Sequence, residues 1–381
     1  MTYDPEARRD TPLALKLKAV IRERGPISVR AYMEACLYDP EYGYYRTRAA
    51  IGRTGDFITA PEISQTFGEL IGLWCAVVWE QMGRPARFDL IELGPGRGTL
   101  MRDALRAQSR VAGLSAAAQV HLVESNATLA AMQRETLTGV SVPIVWHSTL
   151  DVLSHGSRAT VPAIVVANEW LDCTPRDQAV RTATGWVRRS IAVDERGHLV
   201  FAPAAVSLPW PSERIADFDE RFREAGSGAI VEVGAYRAVP EFMTARQQAA
   251  AVVIDYGHVA PVAGDTLQAV RDHRHEHPLT SPGEADLTMQ VDFTQVCCDV
   301  LAVGGLATDG SVTQVEFLGG LGIVERASRL MAANPAKAAT IEAGVARLLT
   351  PNGMGTRFQA LGIRASGLPP LPGFPVVVSQ T

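Results

Sequence analysis

Between Phe88 and Gly98 the chain reads Phe-Asp-Leu-Ile-Glu-Leu-Gly-Pro-Gly-Arg-Gly. Three glycines alternate at Gly94, Gly96 and Gly98, and a carboxylate, Glu92, stands just before them. Glycines at this spacing let the backbone bend sharply and approach a ligand with no Cβ in between. The order E-x-G-x-G-x-G differs from the G-x-G-x-x-G of most dinucleotide sites. Glu92 also argues against a pyrophosphate, which its charge would repel, and for a ligand that carries a cation or hydroxyls. S-adenosylmethionine (SAM) has an ammonium, a sulfonium and no phosphate, so it meets that demand. A dinucleotide and a ligand-free strand–turn–helix corner are the alternatives.

Other polar residues fall where apolar strands stop. The second strand ends His121-Leu-Val-Glu, which puts Glu124 where an acid can accept two hydrogen bonds from a ribose diol. The third strand ends near His147-Ser-Thr-Leu, and Leu150 is the candidate to flank an adenine ring, although it is equally suited to a core. The fourth strand, Ile164-Val-Val-Ala, delivers Asn168-Glu-Trp-Leu-Asp172 at its carboxyl end, where open α/β sheets bind ligands. Asn168 is placed with the cofactor contacts, Glu169 can hold a cationic group, and Trp170 can wall it. The competing role for Asn168 and Asp172 is to cap a following helix. Gly55–Ser64 is a loop whose acids, Asp56 among them, can fold over the cofactor. His258 ends another apolar strand and is a candidate for proton transfer or for a structural role. His273-Arg-His-Glu-His277 invites a metal, but sequence neighbours on a loop diverge, and a charged, solvated loop is the better reading.

These residues need elements to position them. Strands are expected at 88–93, 119–124, 143–147 and 162–167, with helices at 99–108 and 126–137 between them. That alternation argues for an α/β fold with a doubly wound, parallel sheet. Ahead of it, helices are expected at 12–24, 29–37 and 64–82, so residues 1–85 form an N-terminal helical region with the covering loop. After 175 the pattern changes to antiparallel strands within 177–203, a helix from Ser212 to Glu224, a strand at 229–233 and a helix at 239–249. This is an α+β insertion at about 183–250 within a sheet domain spanning 86–363. Residues 258–287 read as a long loop, helices follow at 292–302, 313–320, 324–332 and 335–349, and 355–363 supplies a last strand. Residues 364–381 form an extended, proline-rich tail.

The totals set limits. With 381 residues, 47% hydrophobic and 20% charged, the chain can bury a sizeable core. A net charge of −5 gives no general attraction for nucleic acid. No apolar run is long enough to span a bilayer. Five cysteines without C-x-x-C spacing fit a reducing compartment, the bacterial cytoplasm being simplest, or the mitochondrial matrix if the chain is eukaryotic.

Several segments taken together resemble one family. They are Gly55–Ser64 with Phe67-Gly-Glu-Leu-Ile-Gly72, Glu92–Leu100, Ala167–Asp172, Asp255-Tyr-Gly-His258, Ala285-Asp-Leu-Thr with Val291-Asp-Phe293, and Met354-Gly-Thr-Arg-Phe358. They are similar to the MidA-type SAM-dependent methyltransferases, the family of a mitochondrial complex I assembly factor. The resemblance covers roughly residues 12–363. It implies a class I (Rossmann-like) methyltransferase fold with added helical parts. It also implies symmetric dimethylation of an arginine on a subunit of NADH:ubiquinone oxidoreductase (complex I), aiding its assembly. For such a reaction a carboxylate pair would localise the guanidinium charge and free one nitrogen to attack. Glu169 and Asp172 are the expected pair, with Asp56 in reserve. A SAM-binding assembly chaperone without turnover and a small-molecule methyltransferase are the alternatives.

Overall fold

Eight strands build the central sheet among the described residues: β1 (Phe88–Leu93), β2 (Ala118–Val123), β3 (Ile144–His147), β4 (Ala163–Asn168), β5 (Ala249–His258), β6 (Leu306–Thr313), β7 (Phe358–Ala365) and the short Val291–Asp292, which pairs in parallel with the end of β5. The computed structural model describes residues 4–47, 59–207, 212–260 and 262–375. The strand order is β6-β7-β5-β4-β1-β2-β3. Pairings among β1 to β5 are parallel, and β7 runs antiparallel to both β5 and β6. The order turns back between β1 and β4, which opens a crevice at their carboxyl ends.

Strand alternation explains why the sheet is covered on both faces. Leu90, Ile164 and Val252 face one way and join a core with the helices Gln65–Gln81, Thr99–Gln108 and Gln314–Gly320. Ile91, Val165 and Val253 face the other way, against Phe242, Phe293 and Val300 of the helices Ala238–Thr244 and Phe293–Val303. These residues are at most 3% exposed, so buried area rather than helix propensity holds the layers together. The helices Gln65–Gln81 and Thr99–Gln108 approach closely. A Cβ on Gly72 would lie 2.5 Å from the Ala104 carbonyl oxygen, so only glycine fits there.

The excursion between β4 and β5 forms a second, antiparallel sheet from Asp177–Thr182, Gly185–Val193, Leu199–Ser207 and Ile230–Val233, to which Ile27–Ser28 adds. The helix expected from Ser212 is present as Ser212–Arg221. The N-terminal helices Pro12–Arg24 and Val29–Tyr38 start at Thr11 and Ser28, whose hydroxyls accept hydrogen bonds from the Ala14 and Ala31 amides.

Two expectations need correction, and one strand was not expected. Residues 258–287 are not one loop, because Gln268–Arg271 and Arg274–Glu276 form a hairpin, with Asp286–Thr288 beside it. Its turn places Asp272 and His273 at positive φ, a geometry that the sequence Asp-His does not advertise. The helix expected at 239–249 ends at Thr244, and β5 begins at Ala249. Leu306–Thr313 is a strand, although its sequence, Leu-Ala-Thr-Asp-Gly-Ser-Val-Thr, lacks a clean apolar alternation. A register shift between Asp309 and Ser311 explains the break in the pattern.

Candidate active site

The glycine turn lies where the sequence put it, between β1 and the helix Thr99–Gln108. Gly94, Gly96 and Gly98 all have positive φ, at 60°, 55° and 80°, a region that side chains with a Cβ rarely adopt. Gly94 is also hemmed in by Trp170, since a Cβ there would come within 2.9 Å of the indole Cδ1. Trp170 therefore walls the turn itself.

Glu92 shares a strand face with Leu90 and is 3% exposed. Burial without a countercharge pushes its carboxyl up to about 8. Its Oε2, like Oδ1 of the buried Asn168, has no hydrogen-bond partner among the described residues. Both residues line a cleft with Glu62, Gly94, Gly96 and Glu169. Unpartnered buried acceptors are costly, and a ligand bringing an ammonium or hydroxyl donors would satisfy them.

Glu124 follows β2, and its amide donates to the His147 carbonyl at 2.8 Å. Its Oε1 accepts from the Asn126 amide at 2.7 Å and its Oε2 from Gln133 Nε2 at 3.2 Å. The same Gln133 Nε2 donates to the Gly96 carbonyl at 2.8 Å. Gln133, a residue sequence reasoning passed over, thus ties the candidate ribose acid to the glycine turn. Burial raises the Glu124 carboxyl, and its two oxygens keep acceptor capacity for a diol. Leu150 opens a 3₁₀ turn after β3 and is packed in the core with Leu153 and Leu171.

No helix follows β4, so Asn168 and Asp172 do not cap one. Instead Glu169 takes φ +51°, strain that persists only when its surroundings enforce it. The enforcement comes from Asp255 in β5, which is fully buried. One of its oxygens accepts from the amides of Trp170, Leu171 and Asp172 at 3.1, 2.9 and 3.2 Å, and the other from the Tyr256 amide at 2.9 Å. The Glu169 amide adds a bond to the Ile254 carbonyl at 2.8 Å. The Asp255-Tyr-Gly-His motif therefore acts through its aspartate. His258, by contrast, pairs its Nδ1 with the Ala260 carbonyl oxygen at 2.6 Å.

The expected carboxylates, Glu169 and Asp172, stand on one turn, close enough for the Asp172 charge to raise the Glu169 carboxyl. Glu169 lines the cleft, where its Oε1 accepts from the Ala60 amide at 3.0 Å and from Asn168 Nδ2 at 3.2 Å. Asp172 is 7% exposed and sits behind, hydrogen-bonded to Tyr256. Burial, opposed by that Ala60 bond, brings the Glu169 carboxyl up to about 7, and burial brings that of Asp172 to about 6. Burial, with Asp172 and Glu169 nearby, holds Asp255 well above the usual carboxylate range. Asp56 lies outside the described residues. Among the described residues no group of three histidines, cysteines or carboxylates converges as a metal site, and the His273–His277 segment is largely exposed.

Residues 70–312 match the model of a family described as S-adenosyl-L-methionine-dependent methyltransferases. The chain is 33% identical to "Protein arginine methyltransferase NDUFAF7, mitochondrial" of Rattus norvegicus and 33% identical to the Homo sapiens protein of that name. Each match covers 93% of this chain and 84% of the relative. A crystal structure of a Burkholderia thailandensis protein bound to S-adenosyl-homocysteine superimposes with a TM-score of 0.83, at 25% identity, over 97% of each chain. SAM is the cofactor, and the doubly wound sheet is the class I methyltransferase fold. By its glycine turn, its strand order and these matches, the chain belongs to the SAM-dependent methyltransferase family.

Proposed function

We propose that this enzyme methylates an arginine side chain of a protein, and that its substrate is a subunit of complex I. The observation that carries the reading is Glu169. It stands in the cleft beside the glycine turn, fixed in a strained backbone conformation by a buried aspartate, as a carboxylate built to meet a cation. The name borne by the rat and human relatives supports the same acceptor.

Bound SAM supplies an electrophilic methyl group, and the protein's part is to align the acceptor. A guanidinium is always charged, and its lone pairs are delocalised. Charge-assisted bonds from two of its nitrogens to Glu169 would hold the positive charge there and leave the third nitrogen free to attack. When the new nitrogen–carbon bond forms, that nitrogen sheds a proton. Glu169, near 7, is suited to accept it. Asp255 positions the turn, and Asp172 adds negative potential beside Glu169. In the cofactor half, Glu92 and Asn168 would receive the ammonium, Glu124 the ribose hydroxyls, and Leu150 would pack near the adenine. Asp56, outside the described residues, is retained as a further candidate acid.

Five free cysteines fit a reducing compartment. We assign the chain to the cytoplasm of a bacterium, or to the matrix of a mitochondrion, the organelle printed in the names of its relatives. No helix among the described residues is long and apolar enough to cross a membrane. The test is methyl transfer from labelled SAM to purified complex I subunits, followed by hydrolysis and identification of the methylated amino acid. Symmetric dimethylarginine on one subunit is the expected product. A labelled lysine, a carboxyl ester or a labelled small molecule would overturn the acceptor.

A further inference from the structure

A second, larger cleft lies between the Gln268–Glu276 hairpin, the end of β5 and the start of β7. Tyr256 and Phe358 form its floor, with their rings edge to face at 5.6 Å. The Gln268–Glu276 hairpin makes one wall and brings His273 and His275. The end of the helix Ala338–Leu349 brings Arg347, and the turn ahead of β7 brings Arg357. The lining holds two arginines and two histidines and no carboxylate. Neither guanidinium makes a hydrogen bond or an ion pair with another described residue, and both arginines are exposed.

Side chains of this cleft lie close to the acceptor site, although the two clefts share no lining residue. Tyr256 lines it on one side and is hydrogen-bonded to Asp172 on the other. Arg347 lies near enough to Glu169 to favour its ionised form. The helix that carries Arg347 packs on the Ala60–Ile63 turn, whose first amide bonds Glu169; a Cβ on Gly344 would lie 3.0 Å from the Ile63 carbonyl oxygen. Carboxylates thus collect at the inner end and cations at the outer. The chain as a whole has a net charge of −5, so the outer cluster opposes the overall balance.

We propose that the outer cleft selects a protein segment in which the acceptor arginine is followed or preceded by acidic side chains, with Arg347 and Arg357 receiving their carboxylates. A segment of opposite charges would match both ends at once, its guanidinium at Glu169 and its carboxylates outside. A single exposed ion pair is worth little. Two arginines converging in a concave site focus the potential and offer bidentate geometry to a carboxylate. This rests on the protein-arginine reading for the identity of the inner group, but not for the charge of the outer one.

The test uses the full chain with S-adenosyl-homocysteine bound and two fluorescent peptides. Each has a central arginine, flanked by glutamates in one and by glutamines in the other. Anisotropy is expected to give at least about tenfold tighter binding of the glutamate peptide, the scale of one charge-assisted hydrogen bond. That preference should shrink with added salt. Arg357→Gln with Arg347→Gln should abolish it, while the melting temperature and the affinity for S-adenosyl-homocysteine stay as in the parent. Equal binding of the two peptides, binding of neither, or a preference that survives the double substitution would overturn the proposal. Labelled methyl transfer to the same peptides reads the acceptor separately. Selective binding of the glutamate peptide with methyl incorporated elsewhere than on arginine would sink the arginine reading and leave the charge selection standing.

Discussion

Glu92 should couple cofactor binding to proton release. Its carboxyl is buried without a countercharge and is pushed up to about 8. At pH 7 only about one-tenth of the free protein then carries an ionised Glu92, and ionising the rest costs about 1.4 kcal/mol. A ligand ammonium favours the ionised form, so binding must expel that proton. Apparent affinity for S-adenosyl-homocysteine should rise roughly ninefold from pH 6 to pH 7 and about twentyfold from pH 6 to pH 7.5, then level off above 8. Calorimetry at pH 7 in buffers of different ionisation enthalpy should count close to ~0.9 proton released per ligand bound. Glu92→Gln should lose this rise, and the difference between parent and variant removes any contribution from titration of the ligand itself. The sign for stability is opposite. A carboxyl raised in the fold holds a proton that the unfolded chain has lost, so its contribution is full below pH 4.5 and disappears as pH rises through about 8. The ligand-free protein should therefore lose about 2.5 kcal/mol between pH 5 and pH 7 relative to Glu92→Gln. A wild-type affinity that is flat from pH 6 to pH 7.5, with no proton released, would refute the assignment of Glu92 to a cationic part of the cofactor.

Three further substitutions probe the rest of the site. Gly96→Val should abolish S-adenosyl-homocysteine binding by calorimetry, because a β-branched residue is strained at φ +55° and its side chain fills the space a ligand needs. Glu124→Ala should weaken binding by roughly 1.5–3 kcal/mol and leave a folded protein, as judged by circular dichroism; a change under twofold would move the ribose acid elsewhere. Asp255→Asn should lower stability by about 1–3 kcal/mol, since an amide cannot accept from all four backbone donors. Its turnover should fall more than its cofactor affinity, because Asp255 orders the turn that carries Glu169.

The cofactor half was legible in the sequence because its signals are local. An apolar strand, alternating glycines and a helix start sit within about twenty residues, and β1 and the following helix lie where the pattern placed them. The ends of β5 and β6 were less legible for physical reasons. Ala249-Ala-Ala suits a helix as well as a buried strand, and only its pairing with β4 and β7 decides for the strand. Leu306–Thr313 is half polar and bulged, so periodicity fails there. The acceptor half depends on long-range contacts. Asp255 holds residues 170–172 across more than eighty positions, and nothing near Asp255 announces that duty. Arg347 and Arg357 meet the hairpin histidines only in three dimensions, so no spacing in the chain points to them. The left-handed conformation of Glu169, which shapes the turn that carries it and Asp172, has no marker in the sequence Asn-Glu-Trp.

Glu169→Gln tests the central claim most directly, because it keeps the shape of the side chain and removes its charge. The measurement is the rate of labelled methyl transfer to the complex I subunit proposed as substrate, with S-adenosyl-homocysteine affinity determined alongside for parent and variant. Transfer should fall by at least about tenfold for each 1.4 kcal/mol of transition-state stabilisation lost, and cofactor affinity should change little. Transfer at the parental rate would contradict the account, as Glu169 would then have no part in holding the acceptor.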